Sequence, residues 1–268
     1  MKLNVVPPRT GLSWVRAGMR TFMRQPLALS GLFFMYTALV IVVSQLPLVG
    51  PVIGGLLVPA ATLGLMAASA EAESGRFPMP SVLFSAFRAG RQRLRAMLQL
   101  GMVYAAGSML VTLLASLVAG SPAAAPTPAA PADGLMNPVN GATALALVLH
   151  LPLFMLFWHA PALVHWHGIP PAKSLFFSLV AVLRNFGAHL VYGLGWLAVF
   201  LAVGAAFGLL GGVLGGPALA QALMLPAALL LAAMFSSSIY FTFRGSFSED
   251  PAPGEDASRD GNATPPQP

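Results

Sequence analysis

Three histidines lie within nine positions of one short stretch, and imidazole is a common ligand of metals and haem. They are His159, His165 and His167 in the segment FWHAPALVHWHGIPP. A helix directs side chains two positions apart about 200° from each other, and a helical metal-binding pair needs a spacing of three or four residues. His165 and His167 are two positions apart, and His159 and His165 are six apart, so neither pair has the required spacing. The chain also has no cysteine. The pattern therefore predicts no metal site and no cofactor.

The same stretch fits a helix that leaves a membrane. Tryptophan is enriched at the membrane–water boundary, because its ring is apolar and its N–H needs a polar partner. Pro170 and Pro171 follow and stop the helix. We therefore expect His165, Trp166 and His167 to anchor this end of a membrane span at the interface.

Polar side chains within predicted spans are functional candidates, because placing a polar group in the bilayer core costs free energy. Five of them could line a path for a small or lipid-like molecule: His150, His159, Ser236, Ser237 and Ser238. The structural alternative is that each histidine is satisfied by one hydrogen bond and each serine by a carbonyl of its own helix. Ligation of haem by His150 and His159 is a remote further hypothesis.

Motifs that would support catalysis are missing. The chain contains no H-E-x-x-H zinc motif, no G-x-S-x-G nucleophile elbow and no P-loop. No charged residue lies in the middle of a predicted span, whereas ion-coupled carriers need a buried carboxylate. We predict that the protein is not an enzyme, and a coupled transporter is disfavoured.

The composition requires a membrane. Of the 268 residues, 57% are hydrophobic and only 8% are charged, whereas soluble proteins carry about 25% charged residues. A bilayer core about 30 Å thick is crossed by about 20 residues of helix. Six apolar segments are long enough, at 27–46, 49–70, 96–119, 142–164, 190–214 and 218–243. The predicted fold class is all-α, a polytopic membrane protein with six transmembrane helices and two or three interfacial amphipathic helices.

The basic residues predict the orientation of these spans. All fourteen lysines and arginines lie in the N-terminus, the second-to-third loop, the fourth-to-fifth loop and the C-terminal tail. Six spans place these four segments on one side of the membrane, and segments rich in Lys and Arg stay in the cytoplasm. Both termini are therefore expected in the cytoplasm.

A segment at about residues 9–25 has the pattern of an interfacial helix. Its arginines recur at four-residue steps beside an apolar stripe that begins near Trp14, so the helix would lie among the lipid headgroups with Trp14 as an anchor. A second basic run follows the second span. The arginines expected to bind anionic phospholipid are Arg16, Arg20, Arg24, Arg88, Arg91, Arg93 and Arg95. The alternative is that they only orient the spans.

Two segments differ from the apolar body. Residues 120–141 are rich in proline and alanine, which predicts a flexible outer loop. Residues 246–268 hold five acidic residues and one arginine but few apolar residues, which predicts a disordered acidic cytoplasmic tail. We therefore expect one transmembrane domain over residues 1–245.

An internal repeat is indicated by three arginines that stand shortly before predicted spans. Arg24, Arg93 and Arg184 each follow a semi-apolar stretch. We interpret the chain as three units, each a short interfacial helix followed by a transmembrane hairpin.

The fifth span carries glycines at four-residue steps, which puts them on one helix face and lets another helix approach closely. They are Gly204, Gly208, Gly212 and Gly216. Another span of the same chain is the expected partner, and a homo-oligomer contact is the alternative.

Three stretches resemble an uncharacterised family of proteobacterial integral inner-membrane proteins. They are VVPPRTGLSWVRAGMRTFMRQPLALSGLFF, PLVGPVIGGLLVPAATLGLM and APALVHWHGIPPAKSLFFSLVAVLRN. The resemblance implies the bacterial inner membrane as the location and implies no activity. A more distant similarity, carried by Pro161, Ser178, Arg184 and Asn185, is to membrane domains attached to glycerophosphodiester phosphodiesterases. This chain has no phosphodiesterase domain, so no catalysis follows from that similarity.

Two functional hypotheses from different classes remain. The first is a non-enzymatic membrane scaffold or lipid-interacting protein, with anionic phospholipid as its partner. The second is an uncoupled permease or transport component for a lipid or small molecule. No nucleic-acid partner is expected.

Overall fold

A computed structural model describes residues 2–119, 141–214 and 216–248. Six helical segments of these residues are long and apolar enough to cross a membrane: Pro26–Ser44, Gly50–Glu73, Arg91–Val118, Leu145–His167, Phe186–Gly211 and Ala222–Ser246. The predicted all-α fold with six spans is confirmed. The predicted outer loop, except Gly141, and the acidic tail from residue 249 lie outside the described residues.

The chain folds as three successive units, each a short helical segment followed by long helices. The first unit comprises α1 (Thr10–Arg24), α2 (Pro26–Ser44) and α3 (Gly50–Glu73). The second comprises a 3-10 turn (Pro80–Phe84), α4 (Ser85–Arg88), α5 (Arg91–Ala119), α6 (Gly141–Phe157) and α7 (Ala160–His167). The third comprises α8 (Pro171–Arg184), α9 (Phe186–Leu214) and α10 (Gly216–Ser246). The three-unit interpretation matches this order of elements.

Each short helical segment packs against the long helices of the preceding unit. The 3-10 turn and α4 lie on α3, and α8 lies on α6 and α7. The first short helix, α1, lies on α9 and α10 of the third unit. The three units therefore close into a ring, in which each short helix covers the end of its neighbour's hairpin.

A proline lies inside the second long helix of every unit. Pro59 lies in α3, Pro152 in α6 and Pro226 in α10. Proline donates no backbone hydrogen bond and leaves the carbonyl four residues earlier without its helical partner, which membrane helices tolerate where neighbouring groups satisfy it. The three prolines are a second sequence signature of the repeat, beside the arginines.

Glycines allow the short helices to lie directly on the backbone of their neighbours. A Cβ atom at Gly18 of α1 would overlap Ser238 of α10, and one at Gly64 of α3 would lie 2.8 Å from the Cα atom of Leu83 in the 3-10 turn. Any larger residue at these positions would push the two elements apart.

The two ends of the described chain meet at one end of the bundle. Strand β1 (Lys2–Leu3) pairs antiparallel with β2 (Phe247–Ser248). The predicted disordered tail is therefore wrong for its first three residues, because Ser246 ends α10 and the next two residues form β2. The short helices lie at this same end, which we call the basic end because they and their flanking segments carry the arginines.

Asn185 fastens the N-terminal segment at the basic end. This side chain is buried at the junction of α8 and α9. Its Oδ1 accepts a hydrogen bond from the amide of Val6 at 2.9 Å, and its Nδ2 donates one to the carbonyl of Asn4 at 2.9 Å. The side chain of Asn185 therefore provides this backbone segment with the hydrogen bonds that a neighbouring strand would otherwise form.

Candidate functional site

The fourth span is broken at Trp158 and His159, where the sequence predicts a continuous helix over 142–164. The physical reason is Pro161, whose ring would clash with the carbonyl of Phe157 in an unbroken helix. The hydroxyl of Ser178 satisfies two backbone groups that the break leaves without their helical partners. It accepts a hydrogen bond from the amide of His159 at 3.0 Å and donates one to the carbonyl of Met155 at 2.8 Å.

His159 is enclosed at this break. Its side chain is fully buried, and aromatic rings surround it, with ring centroids 5.7 Å away for His189, 5.5 Å for Phe247 and 5.9 Å for Phe243. Neither of its ring nitrogens has a hydrogen-bond partner among the described residues. The enclosure argues against His159 as the wall of an open path.

His150 makes a local contact instead of facing a partner helix. Its Nδ1 lies 2.8 Å from the carbonyl of Ala146, one turn earlier in the same helix. The two histidines proposed as haem ligands also differ in their surroundings. His159 is buried in the aromatic cluster, whereas His150 is only half-buried.

The three consecutive serines serve the packing of α10. Ser236 and Ser237 donate to the carbonyl of Ala233 at 2.8 and 3.0 Å. These are the bonds that serines form within their own helix, and they favour the structural alternative over a polar path.

Ser238 connects α10 to two aromatic residues of α9. Its Oγ accepts a hydrogen bond from Trp196 Nε1 at 3.1 Å and lies 2.6 Å from the hydroxyl oxygen of Tyr192. All three side chains are buried. The hydroxyl therefore joins the two helices of the third hairpin and contributes to their packing.

Trp14 does not anchor the first helix to lipid, and this corrects the expectation from the sequence. Its side chain is only 4% exposed and packs edge-on against His189 at 5.3 Å and Tyr192 at 6.3 Å. The predicted bounds of the helix agree with α1, but its apolar face is covered by α9 and α10. The spacing of apolar residues is the same in a helix that packs on protein and in one that packs on lipid, so the sequence pattern does not distinguish the two.

The other predicted anchors lie at the end of α7 and are half-buried. The ring of Trp166 packs against Tyr240 and Phe243, with centroids 6.0 and 5.1 Å apart, and the ring of His167 lies 5.9 Å from that of Phe243. These residues therefore contact the end of α10. His165, on the same helix, turns to a different surface that is described below.

Two of the four glycines on the predicted face, Gly204 and Gly208, have no close neighbour among the described residues. A Cβ atom at Gly204 or Gly208 would meet no atom of the described residues within 4 Å, so the expected intramolecular packing is wrong at these two positions. Gly212 belongs to α9, whereas Gly216 begins α10. The ladder therefore does not continue along one helix.

The arginines of α1 point away from the bundle. Arg16, Arg20 and Arg24 are exposed, on the face opposite the buried residues of the helix. Arg24 donates to the carbonyl of Glu73 at 3.1 Å, and the carboxylate of Glu73 pairs with Arg244 at 2.5 Å.

A basic groove of about 640 Å³ lies between the end of α3, the 3-10 turn, α4, the start of α5 and α7. We call it the first groove. Arg76, Arg88 and Arg93 line it, with Glu71 as its one acidic residue. None of these three arginines makes an ion pair with another described residue. The first groove is therefore suited to an anionic ligand.

A second groove of about 600 Å³ adjoins the first and shares Arg93 with it. Arg91 and Arg95 add two further guanidinium groups, and Pro170 and Pro171 form the opposite wall. Four of the seven arginines predicted to bind headgroups thus line two neighbouring grooves, and the three on α1 do not.

Sequence reasoning missed the contributions of Arg76, Ser85 and His165 to the first groove. Arg76 stands next to Phe77 and Pro78, outside the basic run that begins at Arg88, and the Trp166 beside His165 favours an interfacial anchor at that position. The sequence does carry a signal for Ser85. Ser81 and Ser85 are four positions apart, and Ser174 and Ser178 in the third unit have the same spacing.

No known protein-family profile matches the chain, and no solved structure matches it either. The chain is 38% identical over 259 residues to a probable inner membrane protein of Burkholderia thailandensis. The alignment covers 92% of this chain and 94% of that protein. Identity of this extent over most of both chains shows that this chain belongs to the same family as that probable inner membrane protein.

Proposed function

We propose that this inner membrane protein is a non-enzymatic scaffold whose basic end faces the cytoplasm and binds anionic phospholipid headgroups. The observation that carries the proposal is the pair of adjoining grooves, which present Arg76, Arg88, Arg91, Arg93 and Arg95 with one carboxylate among them. Guanidinium groups that make no ion pair with another described residue, concentrated in a concave surface, create a strong positive potential there.

The position of these groups in the fold supports a headgroup as the ligand. The grooves lie where α3 and α7 end and α5 begins, so they are at the level at which a span leaves the hydrocarbon core. Each basic residue close to an anionic membrane surface contributes about 1 kcal/mol of binding free energy at low screening. Guanidinium forks also bind phosphate oxygens in pairs, which an exposed lysine cannot do.

Native mass spectrometry of the protein in a mild detergent tests the proposal. Replacement of Arg88, Arg91 and Arg93 by Gln is expected to remove most co-purified anionic phospholipid. The matched control replaces Arg16, Arg20 and Arg24 by Gln, which removes the same number of charges from an exposed helix face without a groove. Lipid retention that neither triple substitution changes would contradict the proposal.

We also propose the distant kinship with membrane domains attached to glycerophosphodiester phosphodiesterases. Its support is that two of the shared residues hold backbone groups in place: Ser178 closes the break in the fourth span, and Asn185 fastens the N-terminal segment. Residues with such roles are expected to recur where the same short helix meets the same hairpin.

A further inference from the structure

The first groove contains hydrogen-bonding groups that the protein itself leaves unused. The Oγ of Ser85 and the Nδ1 of His165 are buried and have no hydrogen-bond partner among the described residues. Both residues line the groove together with Arg76, Arg88 and Arg93. A buried polar atom without a partner is unfavourable, and a rotation about one side-chain bond can turn a hydroxyl toward a ligand in the groove.

The same groove also exposes large apolar side chains. Phe77 and Met79 line it and are 62% and 61% exposed. A small soluble anion would leave these side chains without a partner. A lipid would use both parts, because its phosphate meets the guanidinium groups while the glycerol backbone and the start of its acyl chains cover the apolar side chains.

We propose that the first groove is a binding site for the phosphate of an anionic lipid and that it prefers a phosphomonoester headgroup to a phosphodiester. This inference rests on the proposed function and names the ligand of one of its grooves. A phosphomonoester carries about −1.5 to −2 charges and three terminal oxygens, whereas a phosphodiester has one charge and two such oxygens.

The donors of the groove match the larger number of oxygens. Three arginines provide bidentate forks, Ser85 adds a hydroxyl donor, and His165 adds a donor in the tautomer that carries its proton on Nδ1. Glu71 on the groove wall opposes only one of the three positive charges. A phosphodiester would leave part of this donor set without an acceptor, and unmatched donors reduce affinity.

The test titrates the full-length protein with phosphatidic acid and with phosphatidylglycerol of identical acyl chains, and measures bound lipid by native mass spectrometry. The wild-type protein is expected to bind phosphatidic acid about tenfold more tightly, the effect of one extra hydrogen bond to a charged group. Ser85→Ala should reduce this preference, because loss of the hydroxyl weakens phosphatidic acid binding more than phosphatidylglycerol binding. Ser81→Ala is the matched control, since Ser81 lines the same groove but its hydroxyl is not among the buried atoms without a partner.

A second variant keeps the test independent of Ser85. Arg88→Gln with Arg93→Gln should weaken phosphatidic acid binding by at least about tenfold, because two charge-assisted contacts are lost. Arg88→Lys with Arg93→Lys retains the charges and should recover only part of the affinity, because lysine lacks the bidentate fork. Unchanged melting temperatures in detergent establish that the variants are folded.

The outcomes separate this inference from the proposed function. Equal binding of both lipids by the wild type, with loss of both in the Arg88 and Arg93 variant, would overturn the headgroup preference and retain the lipid-binding scaffold. Competition by glycerol 3-phosphate at the same concentration as phosphatidic acid would overturn the lipid as ligand and assign the groove to a soluble phosphate ester. Absence of anionic lipid binding in every sample would overturn both proposals.

Discussion

The hydroxyl of Ser178 lies between the amide of His159 and the carbonyl of Met155, and it bonds to both. In an unbroken helix these two backbone groups would bond to each other. A side chain of α8 thus completes the hydrogen bonding of the fourth span at the place where Pro161 breaks it, and couples the short helix to the span.

Ser178→Ala is expected to destabilise the protein by about 2–4 kcal/mol, because it leaves two buried backbone groups without partners. The measurement is the free energy of unfolding in detergent by denaturant titration. Ser174→Ala is the matched control, since Ser174 is equally buried but donates only to Pro171 in its own helix. Equal losses in the two variants would refute the role of Ser178.

Asn185→Ala should release the N-terminal segment from the basic end. The substitution removes the hydrogen bonds to Val6 and Asn4, so amide hydrogen exchange in residues 3–6 is expected to become faster while α1 remains protected. Gln25→Ala is a suitable comparison, because Gln25 directly follows α1 as Asn185 directly follows α8, but the hydrogen bond of its side chain to the carbonyl of Arg76 is exposed. Unchanged exchange in the Asn185 variant would show that the contacts of the segment with residues 246–248 hold it in place.

Two glycine substitutions should have opposite effects on stability. Gly18→Ala places a methyl group against Ser238, where the two backbones touch, and is expected to cost at least about 1–3 kcal/mol through overpacking. The methyl group of Gly204→Ala meets no atom of the described part of the chain within 4 Å and should stabilise α9 by about 0.5–1 kcal/mol, because alanine favours helix more than glycine does. Unfolding free energies in detergent measure both. A loss at Gly204 accompanied by a lower oligomeric mass would instead indicate a contact with a second copy of the chain.

The orientation of the protein can be tested because the chain has no cysteine. Single substitutions Ser13→Cys and Ala130→Cys provide one labelling site each. A membrane-impermeant maleimide added to intact spheroplasts should label position 130 only, while position 13 should require permeabilised membranes. The reverse pattern would place the basic end outside the cytoplasm.

The composition and periodicity of the sequence determined the spans, because a helix must cover about 30 Å of hydrocarbon with apolar side chains wherever it crosses. They also determined the bounds of α1 and the order of short and long helices. The arginines Arg24, Arg93 and Arg184 indicated the three units, and Pro59, Pro152 and Pro226 are an equally readable signature.

The tertiary structure alone decided what covers each face. The stripe beside Trp14 has the same period whether lipid or protein lies against it, and only the packing of α1 on α9 and α10 distinguishes the two. Likewise, no local rule predicts that Ser178 fills a break nineteen positions from its own place in the chain. The first groove brings together Arg76, Ser85 and His165 from three segments, and such proximity depends on how helices assemble rather than on how each one forms.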